Sequence, residues 1–165
     1  MTTMTHQAVT TQVFRVWIKT QPEAIWQAIT DPAFNDKYGY GCPSEYDLRP
    51  SGAFRVISSA EMKEHGAADV IIDGEVIEAD PPRKLVQTWR ALFTPETAAE
   101  PVTRVTWDIH EEQPGLCILT VTHELDNAPV TALQISGNAE NAGGGWPFIL
   151  SDLKTLLETG RAFQG

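Results

Sequence analysis

The sequence NAGGGWPFILSDLKTLLETGRAF, at residues 141–163, has the most regular hydrophobic pattern of the chain. Its large apolar side chains fall along one face of an α-helix: Trp146, Ile149, Leu150, Leu153, Leu156 and Leu157. We place the polar side chains on the opposite face of the helix: Ser151, Asp152, Lys154, Thr155 and Glu158. Pro147 suits a first helical turn, because the N–H that it lacks would be unpaired there, and Gly160 suits a helix C-cap. The pattern predicts a long amphipathic helix that needs an apolar surface to cover.

Three glycines, Gly143 to Gly145, stand immediately before this helix. Glycine has more backbone freedom than any other residue, so the triplet predicts a flexible hinge. It lacks the Lys-Ser/Thr that a phosphate-binding loop requires.

The composition limits the classes of function. The 165 residues suit one domain, with a flexible N-terminal tail at residues 1–10 and a single domain at residues 11–165. The net charge of −10, without any basic run, argues against nucleic acid and anionic membranes as partners. No apolar run approaches the length of a membrane span, and MTTMTHQAVT lacks the features of a signal peptide. We therefore expect a cytoplasmic protein.

The cysteine and histidine residues do not form a metal-binding pattern. Cys42 and Cys117 belong to no CxxC pair, so free thiols are expected, with a disulfide or redox role as the alternative. No HxH, HExxH or Cys-His spacing is present, and we expect neither a metal nor a cofactor. His6 falls in the tail, His65 in a hairpin, and His110 beside two glutamates in a solvated turn.

The first part of the chain predicts one strand and two short helices. Residues 11–19 alternate as a strand does. Thr20-Gln21-Pro22-Glu23 has the pattern of a capping box with Thr20 as N-cap, and an apolar stripe follows it. Asp31 is the expected N-cap of a second helix that ends near Lys37.

The remainder predicts mostly strands. We expect them at residues 45–48, 54–59, 70–79, 85–90, 104–110 and 116–124, and we expect residues 70–79 to form one long strand bent at Gly74. Residues 61–66 are interpreted as a hairpin connection and 93–101 as a loop. Residues 130–145 form a linker or contain a weak helix at 130–135.

The order of elements is therefore one strand, two helices, about six strands and one long helix. Short turns between consecutive strands favour antiparallel pairing. A curved antiparallel sheet with helices on one face is an α+β fold. The terminal helix should cross the concave face, because these two apolar surfaces otherwise lack a partner.

Four segments together resemble the START-like (SRPBCC, helix-grip) superfamily, in the branch related to the activator of the Hsp90 ATPase. They are the opening strand with PEAIWQAITDP, then LRPSGAFRV, then GEVIEADPPRKLVQTW, and finally VTWDI and LTVTHE followed by GGWPFILSDLKTLLETG. The resemblance covers about residues 11–160. It implies a helix-grip fold with a cavity for hydrophobic or aromatic molecules, and a terminal helix that lifts at the glycine hinge would gate that cavity.

The resemblance and the alternation of the strands suggest which residues bind the ligand. Aromatic candidates lie along the strands and the early loop, and aliphatic ones lie beside them or on the terminal helix. The set is Phe34, Tyr38, Tyr40, Phe54, Trp89, Trp107, Leu119, Val121, His123, Trp146, Ile149, Leu150 and Leu153.

His123 is the candidate for acid–base chemistry. It shares a strand face with Cys117, Leu119 and Val121, where it would donate to a ligand or act as a general base. The alternative is a histidine at a strand end whose nitrogens are satisfied within the protein.

Three functions remain open from the sequence. The first is a protein that binds a small hydrophobic molecule, aromatic or lipid-like. The second is an enzyme of the cyclase, aromatase or hydrolase type that uses His123. The third is a co-chaperone or another protein-interaction role. Under any of the three the protein is expected to be a monomer or a homodimer.

Overall fold

The computed structural model describes residues 10–139 and 143–164. It contains seven strands and six helices within these ranges. In chain order they are β1 (Thr11–Ile18), α1 (Pro22–Thr30), α2 (Pro32–Asn35), β2 (Ser44–Tyr46), β3 (Ala53–Ile57), α3 (Ala60–Glu64), β4 (Val70–Asp80), β5 (Lys84–Ala91), α4 (Pro95–Ala99), β6 (Thr103–Gln113), β7 (Leu116–Glu124), α5 (Pro129–Ser136) and α6 (Gly145–Thr159). Nearly all of the predicted tail lies outside the described residues.

The strands form one curved antiparallel sheet in the order β1-β7-β6-β5-β4-β3-β2. Alternate residues face the core, as β7 illustrates: Cys117, Leu119, Val121 and His123 are completely buried. The predicted α+β helix-grip fold is confirmed. None of the helices in the described ranges has both the length and the hydrophobicity of a membrane span.

The terminal helix is the prediction that the structure bears out most fully. The helix α6 ends at Gly160, whose φ of 83° is the left-handed conformation expected of a glycine C-cap. The long strand β4 is also confirmed. A Cβ atom on Gly74 would stand 2.1 Å from the carbonyl oxygen of Thr88, which explains the glycine, and the register shift lies further on, between Val76 and Glu78.

The ends of the first two helices were predicted with mixed success. The carboxylate of Asp31 accepts a hydrogen bond from the N–H of Ala33 at 2.9 Å, as expected of an N-cap. The capping box at Thr20 is wrong. The helix α1 begins one residue later, with Gln21 as an N-cap that makes no side-chain hydrogen bond.

Two segments interpreted as turns are helical. Residues 61–66 overlap α3, whose N-cap Ser59 accepts from the N–H of Met62. The loop at residues 93–101 contains α4, which begins with a capping box between Thr94 and Thr97. Both helices have five residues, too few to show a hydrophobic stripe, so only the capping residues could have indicated them.

Candidate functional site

A cavity of about 440 Å³ lies between the concave face of the sheet, the start of α6 and the loops at one end of the molecule. Its walls are mainly aliphatic and aromatic, with contributions from five strands and from α6. Representative lining residues are Tyr46, Phe54, Ile72, Trp89, Trp107, Trp146 and Ile149. None of the described lining residues is Asp, Glu, Lys, Arg or His. The site is therefore an apolar chamber without formal charge.

The cavity opens where the loop after α2 faces α3. Six residues line both the cavity and an outer groove, and so mark the rim: Tyr38, Gly39, Tyr40, Met62, Ala67 and Phe93. Tyr40 and Phe93 are 40% and 45% exposed, unlike the buried aromatics of the interior. Exposed aromatic side chains at a rim offer apolar surface to an entering molecule.

Three tryptophans form one wall of the cavity, and Phe93 of the rim packs edge-on against one of them, Trp89, with ring centroids 6.3 Å apart. Trp146, at the first turn of α6, packs edge-on against Trp107 with ring centroids 5.2 Å apart. Its ring centroid lies 6.4 Å from that of Trp89. All three side chains are buried. This packing joins the start of α6 to β5 and β6.

His123 lies behind this wall, within a continuous set of hydrogen bonds. The indole Nε1–H of Trp146 donates to His123 Nδ1 at 3.1 Å, and Nε2 lies 2.8 Å from Thr103 Oγ1. Since an indole nitrogen only donates, Nδ1 must accept and Nε2 must carry the proton. The Thr103 hydroxyl in turn donates a hydrogen bond to the carbonyl oxygen of Trp89 at 2.7 Å. Both nitrogens of the imidazole are satisfied within the protein.

The environment of His123 keeps it neutral. Burial lowers the pKa of the imidazole from 6.5 to about 3. The ring does not line the cavity and has no nitrogen free for a ligand. The geometry therefore supports the alternative of a histidine satisfied within the protein, and it gives no support to a general base.

Gln87 is the most buried polar side chain of the cavity wall. Its Oε1 accepts a hydrogen bond from Tyr46 Oη–H at 2.9 Å and another from Trp107 Nε1–H at 3.0 Å. The residue is only 1% exposed. Burial raises the pKa of Tyr46, so its hydroxyl remains a donor.

Buried polar groups also fix the loop at the rim. Tyr38 Oη–H donates to the carbonyl oxygen of Ala28 at 2.9 Å. Asp152 accepts from the N–H of Gly39 at 2.8 Å and from the N–H of Phe163 at 2.7 Å. Asp152 was assigned to the solvated face of the helix, but it is only 2% exposed. It tolerates burial because two backbone donors satisfy its carboxylate.

The glycine triplet packs closely against its surroundings. A Cβ atom on Gly143 would lie 2.3 Å from Tyr40 Oη, and one on Gly145 would lie 2.3 Å from the carbonyl oxygen of Ile135. Gly145 also has a φ of 61°. Its N–H donates to Tyr40 Oη at 3.2 Å. Close approach therefore accounts for these glycines without a hinge; Ala142, which the proposed hinge would include, lies outside the described residues.

A sequence model of the family described as "Activator of Hsp90 ATPase homolog 1-like protein" matches residues 19–158. The chain belongs to this family. A comparison with curated protein sequences found no significant match.

Solved structures share the family fold at low sequence identity. CalU16 from Micromonospora echinospora is 18% identical with a TM-score of 0.65, over 91% of this chain and 77% of that one. The protein MLL2253 from Mesorhizobium loti is 21% identical with a TM-score of 0.66, over 89% and 96%. PFC0360w, an HSP90 activator from Plasmodium falciparum, is 22% identical with a TM-score of 0.55, over 94% and 91%. At these identities the likeness concerns the fold.

The structure brings seven of the thirteen suggested ligand-binding residues to the cavity: Tyr38, Tyr40, Phe54, Trp89, Trp107, Trp146 and Ile149. The other six do not line it. Leu119, Val121, His123, Leu150 and Leu153 are buried in the core. Phe34 is half-buried beneath the ammonium group of Lys37, which lies 4.5 Å from the ring centroid.

Sequence reasoning missed Gln87, Tyr46, Met62 and Phe93 as lining residues. The sequence could have indicated that Gln87 faces the interior, because it falls between Leu85 and Trp89 on the apolar face of its strand. Met62 lies in a segment that the sequence predicted to be a hairpin connection.

Both cysteines are free thiols. Cys42 lines the cavity, and burial raises the pKa of its thiol. The thiol of Cys117 donates a hydrogen bond to the carbonyl oxygen of Thr20.

The described ranges contain no cluster of three or more His, Cys, Asp or Glu side chains placed to hold a metal ion.

Proposed function

We propose that this protein binds a small hydrophobic molecule, aromatic or lipid-like, in the cavity between the sheet and α6. The observation that carries the proposal is the apolar chamber of about 440 Å³ with its tryptophan wall. Its size falls within the range of small-molecule sites.

The physical chemistry of the wall supports useful affinity. A ligand that buries about 250 Å² of apolar surface would gain roughly 6 kcal/mol from the hydrophobic effect. The ligand's loss of translational and rotational freedom opposes binding, and the ordering of side chains and loops adds a further cost that a preformed site avoids. The wall is held by aromatic packing and hydrogen bonds before any ligand enters, so little ordering remains to be done.

A hydrocarbon probe tests the proposal. We expect 2-isopropenylnaphthalene to bind the wild-type protein with one site in equilibrium dialysis. Ile149→Trp should weaken binding, because Ile149 lines the cavity and the larger side chain would occupy part of the space that the ligand uses. Leu133→Trp is the matched control, since Leu133 is 55% exposed on α5 and does not line the cavity.

Two results would contradict a binding cavity. One is the absence of saturable binding to the wild-type protein. The other is equal affinity of the wild type and the Ile149→Trp variant, with a folded structure verified by circular dichroism.

The family description supports a second candidate, an interaction with an Hsp90-type chaperone. The outward face of the edge strand β1 exposes apolar side chains suited to a protein contact, with Val13 and Trp17 at 55% and 46% exposure. We expect the protein to raise the ATPase rate of an Hsp90 chaperone and Trp17→Ala to weaken that effect. No change in ATPase rate at saturating protein would remove this candidate.

The enzymatic alternative has less support. Its nominated acid–base residue, His123, is neutral, lies outside the cavity wall and has both nitrogens engaged. The titratable groups of the described wall are Tyr38, Tyr40, Cys42 and Tyr46. Burial raises the pKa of Tyr38, Cys42 and Tyr46, so these three groups stay protonated near neutral pH.

A further inference from the structure

Only the oxygen of the Gln87 carboxamide forms hydrogen bonds within the described residues. Its Oε1 accepts two hydrogen bonds, from Tyr46 and Trp107. Its Nε2, which carries two N–H donors, has no acceptor among the described residues. An amide nitrogen without a partner is uncommon for a residue that is 99% buried.

The orientation of this amide follows from its neighbours. Trp107 Nε1 can only donate, so the group 3.0 Å from it must be the oxygen of the carboxamide. The two donors are themselves held in place, because the ring of Tyr46 stacks on Phe54 at 4.8 Å and Trp107 packs on Trp146 at 5.2 Å. The nitrogen therefore lies on the side away from both donors.

The free side of the amide faces the cavity. In the described ranges, every buried side-chain nitrogen or oxygen without accessible surface has a hydrogen-bond partner. Since Nε2 has none there, it retains accessible surface, and Gln87 lines the cavity. The cavity thus has a pair of amide donors, fixed in orientation by Tyr46 and Trp107, within a mainly apolar wall.

From this placement we infer that the ligand is a neutral molecule with a carbonyl oxygen, which accepts a hydrogen bond from Gln87 Nε2. The inference rests on the proposed binding function and specifies the chemistry of its ligand. The described wall contains no Lys, Arg or His, so a carboxylate would be buried without a counter-charge. A ketone, an aldehyde, a quinone or an ester satisfies the amide without that cost.

Three naphthalenes of nearly equal shape distinguish a neutral carbonyl ligand from a hydrocarbon and from an anion. They are 2-acetylnaphthalene, 2-isopropenylnaphthalene and 2-naphthoate. They place a ketone, an alkene and a carboxylate at the same position. We expect the ketone to bind the wild-type protein about three- to tenfold more tightly than the alkene, the ratio typical of one hydrogen bond. The anion should bind at least about a hundredfold more weakly than the ketone.

The variant Gln87→Met tests whether the amide causes this preference. It should reduce the ketone-to-alkene affinity ratio to about one while the alkene still binds. Gln113→Met is the matched control, because Gln113 is exposed at the end of β6 and does not line the cavity. It should keep the wild-type ratio.

Gln87→Met leaves the donors of Tyr46 and Trp107 without an acceptor and could therefore prevent folding. A second variant keeps the test valid in that event. Gln87→Glu retains that acceptor and replaces the amide nitrogen by oxygen. At a pH at which this carboxyl is ionised, the ketone should lose its advantage over the alkene.

The outcomes distinguish the inference from the function on which it rests. If ketone and alkene bind the wild-type protein equally, or if both Gln87 variants keep the ketone preference, the inference is overturned and the cavity remains a binding site. Tighter binding of 2-naphthoate than of the ketone also overturns it. If none of the three probes binds, the proposed function fails and the inference with it.

Discussion

His123 connects three elements of the fold through its two ring nitrogens. Nδ1 receives the indole proton of Trp146 on α6, and Nε2 donates to Thr103 on β6, while the residue itself belongs to β7. No other residue type reproduces this combination of acceptor and donor on one small planar ring. Histidine here fixes the start of the terminal helix against the sheet.

This bridge makes stability depend on pH. The folded protein keeps His123 neutral down to about pH 3, whereas the unfolded chain protonates it below 6.5. The stability that His123 contributes is therefore complete above pH 6.5 and is lost as the pH falls below that value. The loss is about 1 kcal/mol between pH 6.5 and 5.5, and it approaches about 1.4 kcal/mol for each pH unit below that. Urea denaturation at pH 6.5 and 5.5 measures it.

Matched substitutions isolate the histidine. His123→Gln can accept from Trp146 and donate to Thr103 but does not titrate, so its stability should change less between the two pH values. His110→Gln should behave like the wild type, because His110 is exposed on β6. An unchanged pH dependence in His123→Gln would show that another group is responsible.

At the scale of elements, α5 begins with a cap from a distant part of the sequence. Its own N-cap, Ala128, supplies no side-chain acceptor. Glu100 replaces it, accepting from the N–H groups of Val130 and Thr131 at 2.9 and 2.8 Å and from the hydroxyl of Thr131 at 2.7 Å. Burial opposes ionisation of this carboxyl, but the three hydrogen bonds outweigh it and lower the pKa.

Removing this cap should destabilise the protein. We expect Glu100→Ala to lower the free energy of unfolding by about 1–2 kcal/mol, the usual cost of a lost helix cap. The effect should be present at pH 7 and decline as the pH falls through the lowered pKa, because a protonated carboxyl no longer holds the cap as an anion. Thermal unfolding at several pH values checks it. Glu112→Ala, at an exposed position on β6, should show no comparable loss.

Long periodic elements could be predicted from sequence, and short ones could not. The strands β6 and β7 alternate in burial over seven or more residues, and the apolar stripe of α6 extends over three turns, so each pattern is too long to arise by chance. The helices α3 and α4 have five residues each and depend on single capping contacts. The cap of α5 could not be foreseen, because Glu100 is distant from it in sequence.

The candidate site was predictable to a similar degree. The aromatic residues of the sheet face were anticipated because strand alternation assigns them to one side. Alternation does not show how deep a position lies, so Leu119, Val121 and His123 were placed with the cavity although the structure places them in the core. The functional interest of Gln87 depends on two partners from other strands, which no local pattern contains.

At the scale of the whole molecule, α6 is attached to the sheet along its length. Trp146 is bound to His123, Asp152 to the N–H of Gly39, and Lys154 to the carbonyl oxygen of Trp17 at 2.5 Å. Glu158 also accepts from the N–H of Lys19 at 2.8 Å. Lifting the helix as a body would break all of these contacts, whereas opening the rim on its α3 side, at Met62 and Ala67, would leave them intact.

We therefore expect the cavity to open at its rim. In hydrogen exchange, amides of residues 65–69 after α3 should exchange faster than those of residues 150–157 in α6, because the former are exposed and the latter are packed. Binding of 2-acetylnaphthalene should slow exchange mainly at residues 38–42 and 62–68. Protection confined to residues 145–153 would instead favour a gate formed by the terminal helix.

The tryptophan wall has a consequence for spectroscopy. Indole rings 5.2 and 6.4 Å apart, held at 86° and 43° to one another, couple their electronic transitions in a fixed chiral arrangement. Such coupling produces strong circular dichroism in the near ultraviolet, and a molecule that enters the cavity changes the polarity around the same rings. If the cavity binds a ligand as we propose, the near-ultraviolet signal of these rings would report its occupancy without a label.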